Sequence, residues 1–346
     1  MARVNFAGND YLGLARDARL AEAACRAARQ YGISSTSSRW ALGWTDLHGR
    51  LEDELAAFMG TEAACILGAA YFGGPVFFST FAGSGRTVYC DATVHSNQFL
   101  GMRGADLEFR TFRHLDAGDL ARELAAHRGP PPVVATDGVY GISGELAPLA
   151  ELAAAARASG AELFIDDAHG VGALGASGRG ATELCGLASA PDVTILGSMS
   201  KALGANGGFL AGRRELVEKF RRSAIASGSA IPPPPIAAAC LAALEIIRAE
   251  PELRAKMEAH ARRMRAALAG RGIAVVTDRT PIVAMVFKDE FEAAAAARHF
   301  LKYELVIPYF KYASEPRENL LRGAARACYT GENLARFEEA VGALER

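Results

Sequence analysis

The chain has no excess of charge of either sign. Lysine and arginine total 38 against 39 aspartates and glutamates, a net charge of −1, so no global field is available to hold a polyanion or an anionic membrane. Nucleic acid and membranes are therefore not expected as partners. No uncharged apolar run approaches the ~18 residues of a membrane-spanning helix. The opening MARVNFAGNDYLGLA has neither a cationic and apolar export signal nor an amphipathic Arg-rich leader, so a cytoplasmic location is expected. The six cysteines (Cys25, Cys65, Cys90, Cys185, Cys240, Cys328) form no CxxC pair and no metal-ligand spacing, and are expected to be reduced core thiols. Internal repeats and low-complexity linkers are also missing.

What is present is enough apolar material, 50% of 346 residues, for a substantial core in one large domain and a smaller one. From about Arg86, short β-branched runs alternate with Ala-rich helical stretches, the pattern of a mostly parallel sheet flanked by helices. TVYCD, PVVATD, ELFID and DVTILGS read as strands; LDAGDLARELAAH and PLAELAAAARASG read as helices. Each strand is followed by a loop at an Asp or Ser, and open α/β sheets bind ligands at the carboxyl ends of their strands. The run Pro232 to Pro235 reads as a rigid corner. After it, a long helix from about Ile236, the strands GIAVV, IVAMVF and ELVIPYF, and a helix around Glu290 to Leu301 predict a smaller α+β unit. The expected division is an N-terminal segment 1–45, a large domain 46–244 and a small domain 245–346.

Lys201 draws attention through its setting, TILGSMSKALGANGGFLAG, where no other charge lies between Asp192 and Arg213. Small neutral surroundings desolvate an amine, lower its pKa and free it for Schiff-base chemistry. Gly204, Gly207 and Gly208 are expected to let backbone approach a flat ligand. Asp166 ends a predicted strand, with His169 three residues on; a carboxylate there suits a protonated pyridine nitrogen, although a plain Asp-rich turn is the competing reading. His95, in DATVHSNQF, follows another strand and is positioned to lie flat on a ring, although taken by itself an ordinary structural histidine is the stronger reading.

These elements, in the order His95, Asp166, His169, Lys201, resemble the α-oxoamine synthases of the fold-type-I pyridoxal-phosphate-dependent superfamily. The likeness runs from NFAGNDYLGLA through SSRWALGWTDLHGRLEDELAAFMG, DATVHS, IDDAHGVGALGASGRG and SMSKALGANGG to LLRGAARACYTGENL. It implies that Lys201 carries pyridoxal 5'-phosphate as a Schiff base, that Asp166 pairs with the ring nitrogen, that His169 meets the ring hydroxyl and that His95 stacks on the ring. Ser198 would bind the cofactor phosphate, as would the backbone of Ala70, Tyr71 and Phe72. Ser229 would reach the phosphate of a partner subunit, which implies a homodimer with a shared active site. Asn9 and Arg322 would hold the amino-acid carboxylate, a task suited to a planar guanidinium. Arg317, in the same segment, serves as a control for Arg322 if it faces water. The implied reaction condenses a small amino acid with an acyl thioester, on coenzyme A or a carrier protein, with loss of carbon dioxide to give an α-aminoketone.

The chain departs from the family pattern at several positions. Gly74 stands where the phosphate cup commonly has asparagine, Asp137 replaces a glutamate, Gly141 a serine near the ring hydroxyl, and Tyr329 a histidine. The altered shell leaves open another reaction of the same cofactor on a small amino acid, such as aldol cleavage, β-elimination or transamination. It also leaves open a non-catalytic descendant that binds a ligand or partner.

Overall fold

The computed structural model describes residues 3–187, 189–228, 231–312 and 315–344. These contain the strands β1 (Val4–Asn5), β2 (Ala63–Leu67), β3 (Val88–Asp91), β4 (Phe109–Phe112), β5 (Val133–Asp137), β6 (Glu162–Asp166), β7 (Val193–Ser198), β8 (Gly208–Gly212), β9 (Ala274–Val275), β10 (Ile282–Val286), β11 (Leu305–Val306) and β12 (Leu320–Ala324). Seven of them form one sheet in the order β2-β8-β7-β6-β5-β3-β4. From β7 to β4 all neighbours are parallel, whereas β8 runs antiparallel to both β7 and β2. Strands β3, β5 and β7 are buried along their whole length, as parallel strands covered on both faces must be.

The four predicted strands of this sheet are present, and β2, β4 and β8 are additional to them. The run of β2, AACIL, has no period of its own to separate it from a helix, and β8, GFLAG, has glycine at both ends. The proline corner is half a corner. Pro233 turns the chain with ψ 151°, but Pro234 and Pro235 form the first turn of the helix Pro234–Ala249, where no backbone N–H is needed. That helix lies against the helix Ala18–Tyr31, which Asp17 caps by accepting from the Arg19 N–H at 2.9 Å.

The C-terminal part builds a three-stranded antiparallel sheet, β12-β10-β9, with its own core that includes Met285, Phe300, Leu321 and Phe337. The predicted strands GIAVV and ELVIPYF shrink to the two-residue β9 and β11, while β12 emerges from LLRGA. Strand β11 pairs with β1, so the start of the chain is stitched to this unit. Cys65, Cys90 and Cys240 are core thiols as expected, but Cys25 and Cys328 are exposed. No helix among the described residues is long and apolar enough to cross a membrane.

The carboxyl ends of β3, β5, β6 and β7 place Asp91, Asp137, Asp166 and Ser198 along one edge, all buried. Above them the helices Gly73–Ser79 and Ser96–Gly104 make backbone-to-backbone contact. A Cβ at Gly74 would stand 2.5 Å from the Asn97 carbonyl oxygen, and one at Gly101 2.5 Å from the Gly74 carbonyl carbon. The asparagine that the family resemblance leads one to expect at position 74 has no room here. Gly74→Ala should therefore lower stability by roughly 1–3 kcal/mol through overpacking, measured as a lower urea midpoint. Gly104→Ala, with nothing within 4 Å of the added carbon, is the control and should be neutral or stabilising.

Candidate active site

A cavity of about 370 Å³ opens at this edge, within the roughly 300–1,000 Å³ of small-molecule sites. It gathers Asn9, His95, Asp137, His169, Lys201 and Arg322, six residues spread from position 9 to position 322.

Lys201 follows β7 on the loop that leads to β8, and burial lowers its amine to about 8 against the opposing pull of Asp166. Asp137 and Asp166 end adjacent strands in register. Two carboxylates so placed resist ionising together: burial and then Asp166 hold Asp137 well above the usual carboxylate range. Neutral donors satisfy the pair. Asn97 Nδ2 donates to Asp166 Oδ2 at 3.1 Å and the Ala168 N–H to its Oδ1 at 3.2 Å; Gln98 Nε2 donates to Asp137 Oδ1 at 2.6 Å and the His95 N–H to the same oxygen at 3.2 Å. No lysine or arginine makes an ion pair with Asp166 among the described residues. Asp167 is turned away: its Oδ2 accepts from the Ala181 N–H at 2.7 Å, and burial pushes it up to about 8.

His169 is held by Tyr11, whose hydroxyl lies 2.7 Å from Nδ1, and burial keeps the imidazole well below its ordinary pKa. Arg322, on β12, donates from Nε to the Gly141 carbonyl at 2.7 Å, from Nη1 to the Ala7 carbonyl at 2.8 Å and from Nη2 to Asn9 Oδ1 at 2.6 Å. His95 caps the helix Ser96–Gly104 and is exposed.

The remaining predicted residues lie around this group. Asp166 and Ser198 are buried just behind the lining, and Ser198 Oγ meets Ser200 Oγ at 3.0 Å. Ala70–Phe72 form a 3-10 turn, and Tyr71 makes an edge-on contact with His95, 6.1 Å between ring centroids. Ser229 lies outside the described residues. The glycines after Lys201 admit protein and not ligand: a Cβ at Gly204 would meet Leu14 and Ala15, one at Gly207 Met199, one at Gly208 the Ala70 backbone. Tyr329 stands away from the cavity, stacked on Phe6 at 4.3 Å with its hydroxyl 3.0 Å from the Asn5 and Ala324 carbonyls. Arg317 does not simply face water, for it pairs with Glu145 and Glu315, each at 2.6 Å.

Sequence reasoning missed Tyr11, Asn97, Gln98 and His114. The first three adjoin motifs that were noticed, but nothing local marks them. His114 lines the cavity wall between Asp91 Oδ1 at 2.9 Å and Glu145 Oε2 at 3.4 Å, and these carboxylates outweigh its burial and raise it to about 9.

The donor set fits pyridoxal phosphate: an amine of lowered basicity, a neutral histidine and a guanidinium around one cavity, with a carboxylate free of any cation partner buried just behind it. Residues 2–344 match the family Aminotransferase class I and II. The chain is 39% identical to an 8-amino-7-oxononanoate synthase of Methylococcus capsulatus over 298 residues, covering 86% of this chain and 77% of the relative. It is 34% identical to one of Alkalilimnicola ehrlichii over 341 residues, covering 98% and 87%. Among solved structures, a serine palmitoyltransferase from S. paucimobilis with bound pyridoxal phosphate matches with a TM-score of 0.92 at 27% identity, over 99% of this chain and 88% of that one. The chain belongs to the aminotransferase class I and II family, among its pyridoxal-phosphate-dependent, α-oxoamine synthase-like enzymes.

Proposed function

We propose that this enzyme condenses a small amino acid with an acyl thioester and releases carbon dioxide, forming an α-aminoketone. The observation that carries the reading is the meeting of Lys201, whose amine is lowered to about 8, with Arg322 in one cavity, Asp166 lying buried just behind its lining. An 8-amino-7-oxononanoate is itself an α-aminoketone, so the relatives' product class agrees. Alanine with a dicarboxylic acyl thioester is accordingly the substrate pair to test first.

When bound, pyridoxal phosphate supplies a protonated pyridine ring that accepts the electron pair left at Cα. Lys201 Nζ takes the Cα proton as general base, and an amine near 8 keeps a useful free fraction at neutral pH. Asp166, oriented by Asn97 and the Ala168 N–H, would hold the proton at the ring nitrogen. Neutral His169 would donate to the cofactor's ring oxygen, and His95 would cover the ring face. Arg322 and Asn9 grip the amino-acid carboxylate, fixing the Cα–H bond across the ring. Ser198 and the Ala70–Phe72 turn would receive the phosphate, with Ser229 of a second subunit completing it in a homodimer; Asp137, whose carboxyl burial and Asp166 push upward, resists adding a second charge beside Asp166. The separate sheets and cores support the division into an N-terminal segment, a cofactor-holding large domain and a smaller C-terminal domain. A cytoplasmic location agrees with a thioester substrate.

Incubating the protein with alanine and other small amino acids against acyl-CoA and acyl-carrier thioesters tests the reaction. Thiol and carbon dioxide released in equal amounts are expected; a keto acid, or ammonia without thiol, refutes condensation. The lowered amine has its own consequence. Only the free amine captures the cofactor, so capture by the apoprotein should quicken about tenfold per pH unit below 8 and level off above it. An ordinary lysine would go on gaining to about 10.4, and stopped-flow absorbance separates the two.

A further inference from the structure

Tyr11 is fully buried and does not line the cavity, yet its hydroxyl touches two groups that do. It lies 2.7 Å from His169 Nδ1 and 3.3 Å from Arg322 Nη2, with Asn9 Oδ1 at 3.5 Å. A guanidinium has donors only, so the Tyr11 oxygen accepts from Arg322 and its single proton must go elsewhere. Asn9 Oδ1 is the poorer acceptor, being farther away and already taken by Arg322 Nη2 at 2.6 Å. The proton therefore goes to His169 Nδ1. A neutral imidazole that accepts at Nδ1 carries its proton on Nε2.

Both protonation states this requires are supported. Burial, together with the cations of Lys201 and Arg322, keeps His169 neutral. Burial also outweighs Arg322 at Tyr11 and keeps it a phenol with a proton to give. The far nitrogen, Nε2, faces Gly141 so closely that a Cβ on that residue would collide with it. Gly141 in turn accepts from Arg322 Nε. Arg322, Tyr11, His169 and Gly141 thus form a closed ring of contacts.

We propose that Tyr11 is a positioning residue that holds His169 as the Nε2–H tautomer, so that the histidine presents its one N–H beside Gly141, and that Tyr11 ties this donor to the arginine that grips the amino acid. The proposal rests on the reading above that His169 meets the cofactor's ring oxygen and Arg322 the substrate carboxylate. A side chain at 141 would push the imidazole off its Tyr11 bond. A carboxylate that claims Arg322 Nη2 displaces the 3.3 Å contact to Tyr11 more readily than the 2.6 Å bond to Asn9, leaving the Tyr11 proton on His169.

Long-range proton–nitrogen NMR correlation on ¹⁵N-histidine-labelled protein reads the tautomer directly, with and without cofactor, and a His169→Asn spectrum assigns the signals. Wild-type His169 should show a bare Nδ1 and a protonated Nε2 across neutral pH. In Tyr11→Phe, which keeps the buried ring, the proton should redistribute toward Nδ1 and turnover should fall about tenfold, the scale of one neutral hydrogen bond. Wild-type His169 protonated on Nδ1, or on both nitrogens, at neutral pH overturns the proposal. So does an unchanged pattern in folded Tyr11→Phe; if that variant does not fold, the wild-type spectrum decides. Because the spectrum does not depend on turnover, a wild-type protein that releases no thiol or carbon dioxide refutes the condensation reading separately.

Discussion

Everything at this site depends on two carboxylates, Asp137 and Asp166, ending neighbouring parallel strands in register. Buried side by side, they cannot both be charged without donors to hold them, and no arginine or lysine among the described residues pairs with either. The donors come from Asn97 and Gln98 at the start of one helix. That helix comes close enough only because Gly74 and Gly101 bring two backbones into contact. Lys201 answers the same field from the neighbouring strand end: burial frees its amine, and the carboxylates keep it from falling further. Strand register thus sets the electrostatics, and the helix packing above the sheet sets what the electrostatics can hold.

The departures from the family pattern become intelligible in these terms. Gly74 makes the close helix contact that positions Asn97 and Gln98. Gly141 leaves room for the His169 imidazole. Tyr329 lies in the core beneath the start of the chain, where its change does not touch the cavity. These substitutions reshape the support of the site and leave Lys201, Asp166, His169, His95 and Arg322 in place, as expected of a working enzyme of this family.

Much of this was legible before folding. The central strands announce themselves as β-branched runs because both of their faces are buried, and their ends name Asp166 and the approach to Lys201. The edges of the sheet were not legible: AACIL has no distinguishing period, and the glycines of GFLAG resemble a ligand loop although each one admits another stretch of backbone. Tyr11 was hidden for a different reason. Its role depends on a contact across 158 residues, and a tyrosine in an apolar segment gives no sign of where its hydroxyl will point. Asn97 and Gln98 stand beside a noticed histidine, but only the register of β5 with β6 shows that two carboxylates await them.

The central claim is that the amine of Lys201, among all the lysines of the chain, carries the cofactor. Loading the protein with pyridoxal phosphate, reducing it with borohydride and mapping the peptides by mass spectrometry tests this directly. The account predicts a yellow protein whose pyridoxyl label is confined to the peptide containing Lys201. A label on another lysine, or a protein that takes up no cofactor after reconstitution, would contradict it.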